Sequence, residues 1–327
     1  MGSRAFCLRA ALVAGIVLVF GVSRARSGDS RTTAAHPEVV RLLTALPGGG
    51  FRPLAEDLVA VYRRSLPDVS FETAPGLSAE ASLESIQQGG ADLSFAFADQ
   101  AYVAFVGRPR VGITPDDRLR AIANLGVIPL QFVVRKGAKI SSIRDLRGAR
   151  VGVGPPGSGN ELTVEMLLGA YGLSLSSIKT VHVSLTDGSR GVASGAIDAM
   201  FTGAFYPAAG ITLAANAGAR LLPLSGPPID QLRRNYPFFK TARLPKTAYP
   251  GMNEDIVTIG VDSLLVCRRD LNEQLVYELT RTFFDALPTL SSARTALRFM
   301  DVDQAAAASI PLHDGAARYY RERELRR

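Results

Sequence analysis

The chain has 327 residues, 47% of them hydrophobic and 20% charged, with a formal net charge of +7. That length accommodates two domains with cores of their own. The arginines are spread along the chain except in the tail "RERELRR", a solvated helix end, and no lysine-rich block alternates with aromatics, which excludes a nucleic-acid partner.

In chain order, Arg4 and Arg9 precede an apolar run of 13 residues, Ala10 to Val22, followed by Ser23-Arg24-Ala25. This is the pattern of a secretory signal cleaved near Ala25, and the run is short of the roughly 20 residues a membrane span requires. Cleavage there removes three arginines, leaving 34 basic against 30 acidic residues, a charge of +4. A periplasmic location follows. Cys267 is then the single cysteine, so no internal disulfide can form, and its place within "SLLVCRRDL" reads as a buried small hydrophobe. His36, His182 and His313 share no ligand spacing, so no metal site is expected.

From Glu38 onward, short β-type runs alternate with helical patterns, the signature of parallel α/β architecture. "VVRLLTAL" reads as a strand running into Gly48-Gly49-Gly50, after which Pro53 opens a helix with Leu54, Leu58, Val61 and Tyr62 on one face. "VSFETA" is a second strand, Ser78 caps a helix ending at Gly89-Gly90, and "ADLSFAFA" is a third strand. "LRAIANLGVIPLQFVVRKG" carries two strand-like runs, and "ISSIRDLRGARVGVG" a short helix followed by a buried strand. "IKTVHVS", "GVASG" and "AIDAMFTGA" repeat the strand, helix, strand scheme. Between Leu222 and Gly251 the pattern fails, and the proline- and aromatic-rich stretch reads as an irregular excursion. "DIVTIGVDSLLVCRRDL" is a further buried strand, and "NEQLVYELTRTFFDAL" a helix with Leu275, Val276, Leu279, Phe283 and Leu287 on its core face.

The result is two Rossmann-like α/β lobes joined by a two-strand hinge. Residues 36–130 with 257–327 form lobe one, and residues 131–256 form an inserted lobe two. The chain crosses near Leu130 to Arg135 and returns near Val257 to Cys267.

The stretch "VGVGPPGSGNE" contains Gly152, Gly154 and Gly157 at dinucleotide-fingerprint spacing. Pro155 and Pro156 withdraw N–H donors, no acidic residue follows at the expected distance, and Asn160 stands where a Walker loop needs lysine. What these residues do build is a helix start, with Ser158 and Glu161 as a capping box and Gly172 past the helix end. The first N–H groups of that helix, on Gly159 and Asn160, favour one negative group, and the bare Gly157 and Gly159 let it come close. A second glycine loop, "ALPGGGFRPLA", sits at the corresponding place in lobe one, so the two loops would face each other across a cleft.

The ordered pieces "PGGGFRPLAEDLV", "QQGGADLSFAFADQAYVAF", "ISSIRDLRGARVGVGPPGSGNELT", "SGAIDAMFTGAFYPA", "VTIGVDSLLVCRRDL" and "PLHDGAARYYRE" resemble the TAXI group of substrate-binding proteins that serve TRAP transporters, within the two-lobed periplasmic binding protein fold, type II-like. The resemblance extends from about Val40 to Glu324. It implies capture of a small carboxylate, an amino acid or organic acid, and delivery to a TRAP-type integral membrane permease by a monomer, with no cofactor and no catalysis. By motif it places Gly48, Gly49, Gly50 and Phe51 in the lobe-one loop and Ala98 and Asp99 in the turn after the third strand. In lobe two it places Pro156, Gly157, Ser158, Gly159, Asn160 and Glu161 in the helix-start loop, and Thr202, Gly203, Ala204 and Phe205 in the loop after "IDA". The family usually has hydroxyl residues where Gly50, Ala98 and Asn160 stand, and small residues where Phe205 and Tyr206 stand. These departures point to a carboxylate less polar than glutamate or differently shaped.

Several readings stay open at this point. Phe205 and Tyr206 line the cleft or pack in the lobe-two core. Asp99 meets a ligand ammonium group or caps a turn. Arg52 and Arg135 reach a ligand carboxylate or serve elsewhere. Two other functions remain: an exported α/β enzyme using Asp99 or Asp187 as acid–base group, and a ligand sensor without a transport role.

Overall fold

The computed structural model describes residues 39–44, 51–76, 79–107, 115–293, 295–298 and 300–325. The expected signal segment, Cys7, His36, Gly48, Gly49, Gly50 and Ser78 lie outside them.

The elements begin with β1 (Val39–Leu43), α1 (Phe51–Ser65), β2 (Ser70–Ala74), α2 (Ala79–Gln87), β3 (Leu93–Phe97) and α3 (Ala98–Val106). Next come β4 (Leu119–Val134), β5 (Arg150–Gly152), α4 (Gly159–Ala170), β6 (Lys179–Val181), α5 (Leu185–Ser194) and β7 (Ala199–Gly203). The chain then forms α6 (Ala209–Asn216), β8 (Arg220–Leu222), α7 (Pro227–Asn235), β9 (Phe239–Leu244), β10 (Ile256–Arg268), α8 (Glu273–Ala293) and α9 (Asp314–Glu324).

Strand order is β2-β1-β3-β10-β4-β7-β5-β6, with β8 beside β4 and β9 beside β10. The first part is lobe one: β1 runs parallel to β2 and β3, and β10 returns antiparallel between β3 and β4. The second part is lobe two, where β5 runs parallel to β6 and β7. Two strands belong to both parts. Residues Leu119 to Pro129 of β4 pair with β10, while Leu130 to Val134 pair with β7. Residues Ile256 to Val261 of β10 pair with β9.

Two expectations need correcting. The two runs in "LRAIANLGVIPLQFVVRKG" are one 16-residue strand, β4. A bulge opposite Ser263 and Leu264 carries it past its glycine, because Gly126 adopts a positive φ of 105° and its N–H is taken up by Asn124 Oδ1 at 2.9 Å. The stretch from Leu222 to Gly251 is not irregular, since it holds α7 and β9. Pro227 and Pro228 occupy the first helical positions, where a missing N–H costs nothing, so they start α7 rather than break it. In β9, Phe239 and Leu244 are buried at the two ends of an exposed run, too short for its periodicity to register.

The core of lobe one packs α1 and α8 against the sheet through Leu54, Leu58, Leu265, Leu279 and Phe283. Cys267 sits fully buried in it. His313 caps α9, accepting the Gly315 N–H on Nδ1 at 3.2 Å, with Nε2 at 3.1 Å from the Leu271 carbonyl. His182 lies against Glu161 in lobe two, Nε2 to Oε1 2.7 Å. Among the described residues no helix is long and apolar enough to cross a membrane.

Candidate functional site

The first turns of α3 and α4 meet where the two lobes face each other. Strand β3 passes into α3 with no intervening turn: Phe97 is the N-cap residue and Ala98 the first helical residue, so Ala98 and Asp99 lie in a helix, not in the expected turn. Phe97 offers no side-chain acceptor to the new helix, and Asp99 fills that role from inside, taking the Gln100 N–H on Oδ1 at 2.9 Å. Its other oxygen, Oδ2, accepts from the Thr163 hydroxyl of α4 at 2.5 Å, a bond made across the lobes. Asp99 is 1% exposed. Burial pushes its carboxyl up to about 6, against the lowering effect of the hydrogen bonds from Thr163 and the Gln100 backbone.

Gln100 is the second lobe-one residue to reach α4. Its amide lies on the Cα of Gly159, so closely that a Cβ built there would fall 1.2 Å from Gln100 Nε2. With Gln100 in this place, any side chain at 159 would have to displace it.

On the α4 side, Ser158 is the N-cap and its hydroxyl accepts the Glu161 N–H at 3.3 Å, as expected. The reciprocal half of the capping box is absent. Glu161 instead accepts the Gly157 N–H at 2.7 Å and meets His182, because the Ser158 N–H is already donated to the Pro155 carbonyl at 3.1 Å. Asn160 ties the frame together. Its Nδ2 donates to the carbonyls of Val153 and Phe201 at 2.8 and 2.9 Å, and its Oδ1 accepts the Gly203 N–H at 3.3 Å. The amide thus joins the end of β5, the end of β7 and the start of α4. Thr202 and Gly203 are the last residues of β7 rather than part of the loop after it.

Between these turns lies a cavity of about 70 Å³. Asp99, Asn160, Thr163 and Thr202 supply its polar wall, and Phe97, Ile128, Leu130 and Val261 its apolar one. Gly159 and Gly203 close it, and Asp99 is the sole ionisable side chain among the lining residues. Two other pockets lie elsewhere, between α8 and α9 and between α4 and α7.

Of the other expected site residues, Gly157 and Glu161 are engaged with each other outside the cavity. Phe205 reaches lobe one: its ring stands edge-on to Phe51 at 5.7 Å between centroids, and Phe51 stacks on Phe95 at 5.0 Å. Tyr206 packs in the lobe-two core with Ile211 and Tyr249. The two aromatic neighbours thus part company, one to each lobe. Arg52 pairs with Glu56 at 3.3 Å on the surface of α1. Arg135 pairs with Asp198 at 2.8 Å, and with Arg150 it holds that carboxyl far below the usual carboxylate range. Asp187 lies in the first turn of α5, where its N–H is donated to the N-cap Ser184 hydroxyl at 3.1 Å, and it pairs with Arg190 at 3.2 Å on the surface. Sequence reasoning missed Gln100 and Thr163. For Thr163 the available signal was its place one turn after Gly159 on α4; Gln100, next to Asp99 on α3, has no periodic signal of its own.

Residues 42–323 match the sequence profile of the NMT1-like family, which is most of the chain, and the chain belongs to that family. Among solved structures it is similar to PhnD1 from Prochlorococcus marinus (MIT 9301) in complex with methylphosphonate, with 17% identity over 89% of this chain and 99% of that one and a TM-score of 0.53. A protein from Bordetella bronchiseptica RB50 is similar at 13% identity over 88% and 98% of the two chains, TM-score 0.55. The alkanesulfonate-binding protein SsuA from Xanthomonas axonopodis pv. citri, bound to MOPS, is similar at 17% identity over 89% and 93%, TM-score 0.49. At these identities the likeness bears on the fold, which is that of type II-like periplasmic binding proteins.

Proposed function

We propose that this member of the NMT1-like family is an extracytoplasmic solute-binding protein that closes on one small organic anion, a carboxylate, and presents it to a membrane permease. The observation that carries the reading is the cavity between the first turns of α3 and α4, lined from both lobes. Helical geometry leaves the leading N–H groups of each turn without an intrahelical acceptor, and both dipoles favour negative charge there. The glycine at 159 puts no side chain of α4 itself at that end, beside the Gln100 amide that rests on it, and the apolar wall suits a short carbon chain. Phe97, Ile128, Leu130 and Val261 would cover it while Thr202 and backbone donors hold the charged end, the Thr163 hydroxyl being given to Asp99.

Lobe one comprises residues 36–130 and 257–327, and lobe two residues 131–256. Opening would pivot on β4 and β10, the two strands shared by both parts. A ligand shifts such an equilibrium only by contacts it makes better in the closed form, and a site split between two lobes provides them. Export by the signal ending near Ala25 puts the protein in the periplasm as a monomer, and the resemblance to the TAXI group makes a TRAP-type permease the receiving partner. The role is binding, not catalysis.

The test is thermal unfolding of the purified protein against short carboxylates, amino acids, methylphosphonate and alkanesulfonates. A ligand at a hundred times its Kd stabilises by about 2.7 kcal/mol, on the order of 5 °C for a chain of this size. A carboxylate should give that shift. An unchanged Tm across the whole panel would remove the reading, and a shift with methylphosphonate or a sulfonate alone would replace the carboxylate with that oxyanion.

A further inference from the structure

Asp99 occupies the one place in the cavity where a second negative charge is least welcome. Its carboxyl is 1% exposed, and both oxygens are engaged by uncharged donors, the Gln100 N–H at 2.9 Å and the Thr163 hydroxyl at 2.5 Å. The charged groups on the elements packed around it are occupied elsewhere. On α4, Glu161 meets His182 and Glu165 borders the pocket between α4 and α7. On β10, Arg268 pairs with Asp92, and Asp262 follows Val261 and so points to the opposite face of the strand from the cavity. On β4, Arg120 donates to the carbonyls of Asp117 and Leu119. On α2, Glu84 accepts from Gln88. A ligand carboxylate entering the cavity therefore meets an acid that has, among the described residues, no cation beside it.

We propose that capture of a carboxylate in this cavity takes up one proton at Asp99, so that the two carboxyl groups share a single hydrogen-bonded proton. This rests on the small-anion reading above. Two carboxylates in a space of about 70 Å³, one of them 1% exposed, cannot both stay ionised, and the bound pair titrates as a unit. The balance is simple: one anion and one proton enter, Asp99 becomes a donor to the ligand oxygen, and no net charge is added to the buried site. Burial has already brought Asp99 to about 6, so the proton is within easy reach at neutral pH.

The sign of the pH effect follows. The competent form is the protonated one, present below about 6, so affinity rises as pH falls toward that value and levels off until the ligand itself protonates near 4 to 5. Above about 6, each pH unit costs roughly tenfold in affinity. Thr163 donates to the ionised form, so Thr163→Val moves the midpoint to higher pH and strengthens binding at pH 7.5. Asp99→Asn supplies a permanent donor and removes the slope.

The experiment is calorimetric titration of the full chain with pyruvate and with L-glutamate as probes, at pH 5.5 to 8.5, in phosphate and in Tris, whose ionisation heats differ. Wild type should take up about one proton per ligand at pH 7.5 and weaken roughly tenfold from pH 6.5 to 7.5. Asp99→Asn should take up none and hold its affinity across the range. Thr163→Val keeps the slope with a shifted midpoint, which tests the idea should Asp99→Asn not fold. Binding by wild type without proton uptake, or uptake that persists in Asp99→Asn, overturns the proposal while leaving the anion reading in place. Binding without uptake that Asp99→Asn abolishes assigns Asp99 to a cationic group of the ligand instead, and also overturns it. No binding of either probe at any pH removes the carboxylate reading and this inference with it.

Discussion

The first turns of α3 and α4 face the same cavity and are built in opposite ways. At α4 the polar side chains turn back into their own lobe: Ser158 caps, Asn160 joins two strand ends, and Glu161 holds Gly157 and His182. At α3 no side chain caps the helix from the N-cap position, and Asp99 and Gln100 lie buried against the other lobe. The stretch with the conspicuous glycines is thus the frame. The stretch without a motif, "FADQ", carries the groups that cross the cleft. A glycine-rich loop needs polar side chains to satisfy the backbone it leaves exposed, and those side chains are then spent.

The sharpest way to break this contrast is Asn160→Ala. One amide makes three hydrogen bonds to three elements, and its loss strands two strand-end carbonyls and an N–H in a partly buried place. We expect a loss of about 2–4 kcal/mol in urea unfolding with little change in m-value. If instead stability holds and only ligand-induced stabilisation disappears, Asn160 belongs to the site and the division between frame and chemistry fails.

The α3 side should announce itself through pH. Asp99 has a folded value of about 6 against an ordinary 3.8, so the native state holds its proton more tightly than the unfolded chain. Stability from this group is greatest below the lower value, falls as pH rises between about 4 and 6, and stays lost above. Carboxyls held low by arginines, such as Asp198, act in the opposite sense. The difference between wild type and Asp99→Asn therefore isolates the effect: it should change by about 2 kcal/mol between pH 4 and 7 in urea titrations. A flat difference would mean that Asp99 is solvated in solution.

What was legible in the sequence follows from what each feature encodes. Strands and helices of lobe one show in "VSFETA" or "NEQLVYELTRTFFDAL" because burial imposes a period there. β9 was lost because six residues with buried ends carry almost no period, and α7 because its prolines resemble a break when read without the helix they open. In the site, the glycines and the Ser158 cap were legible because they answer local backbone needs. The Asp99 to Thr163 bond spans 64 positions in sequence, and nothing local in either residue announces the other.

The smallest expected effect concerns the place where the two turns touch. A methyl at position 159 falls 1.2 Å from Gln100 Nε2, and the tip of a long side chain can move, so Gly159→Ala should cost only about 1–2 kcal/mol. That cost belongs to displacing Gln100, which is 6% exposed and whose Oε1 has no hydrogen-bond partner, so its seat is one of packing. Shortening it in Gly159→Ala/Gln100→Ala should therefore recover most of the loss, with a coupling of about 1 kcal/mol in the double-mutant cycle. Ligand-induced stabilisation, measured on the same four proteins, separates the turns once more. If Gln100 merely fills the gap, the double variant binds as wild type does. If the bare helix end at Gly159 is where the ligand's charge rests, the methyl still blocks it after Gln100 has gone, and the double variant stays weak while Gln100→Ala alone does not.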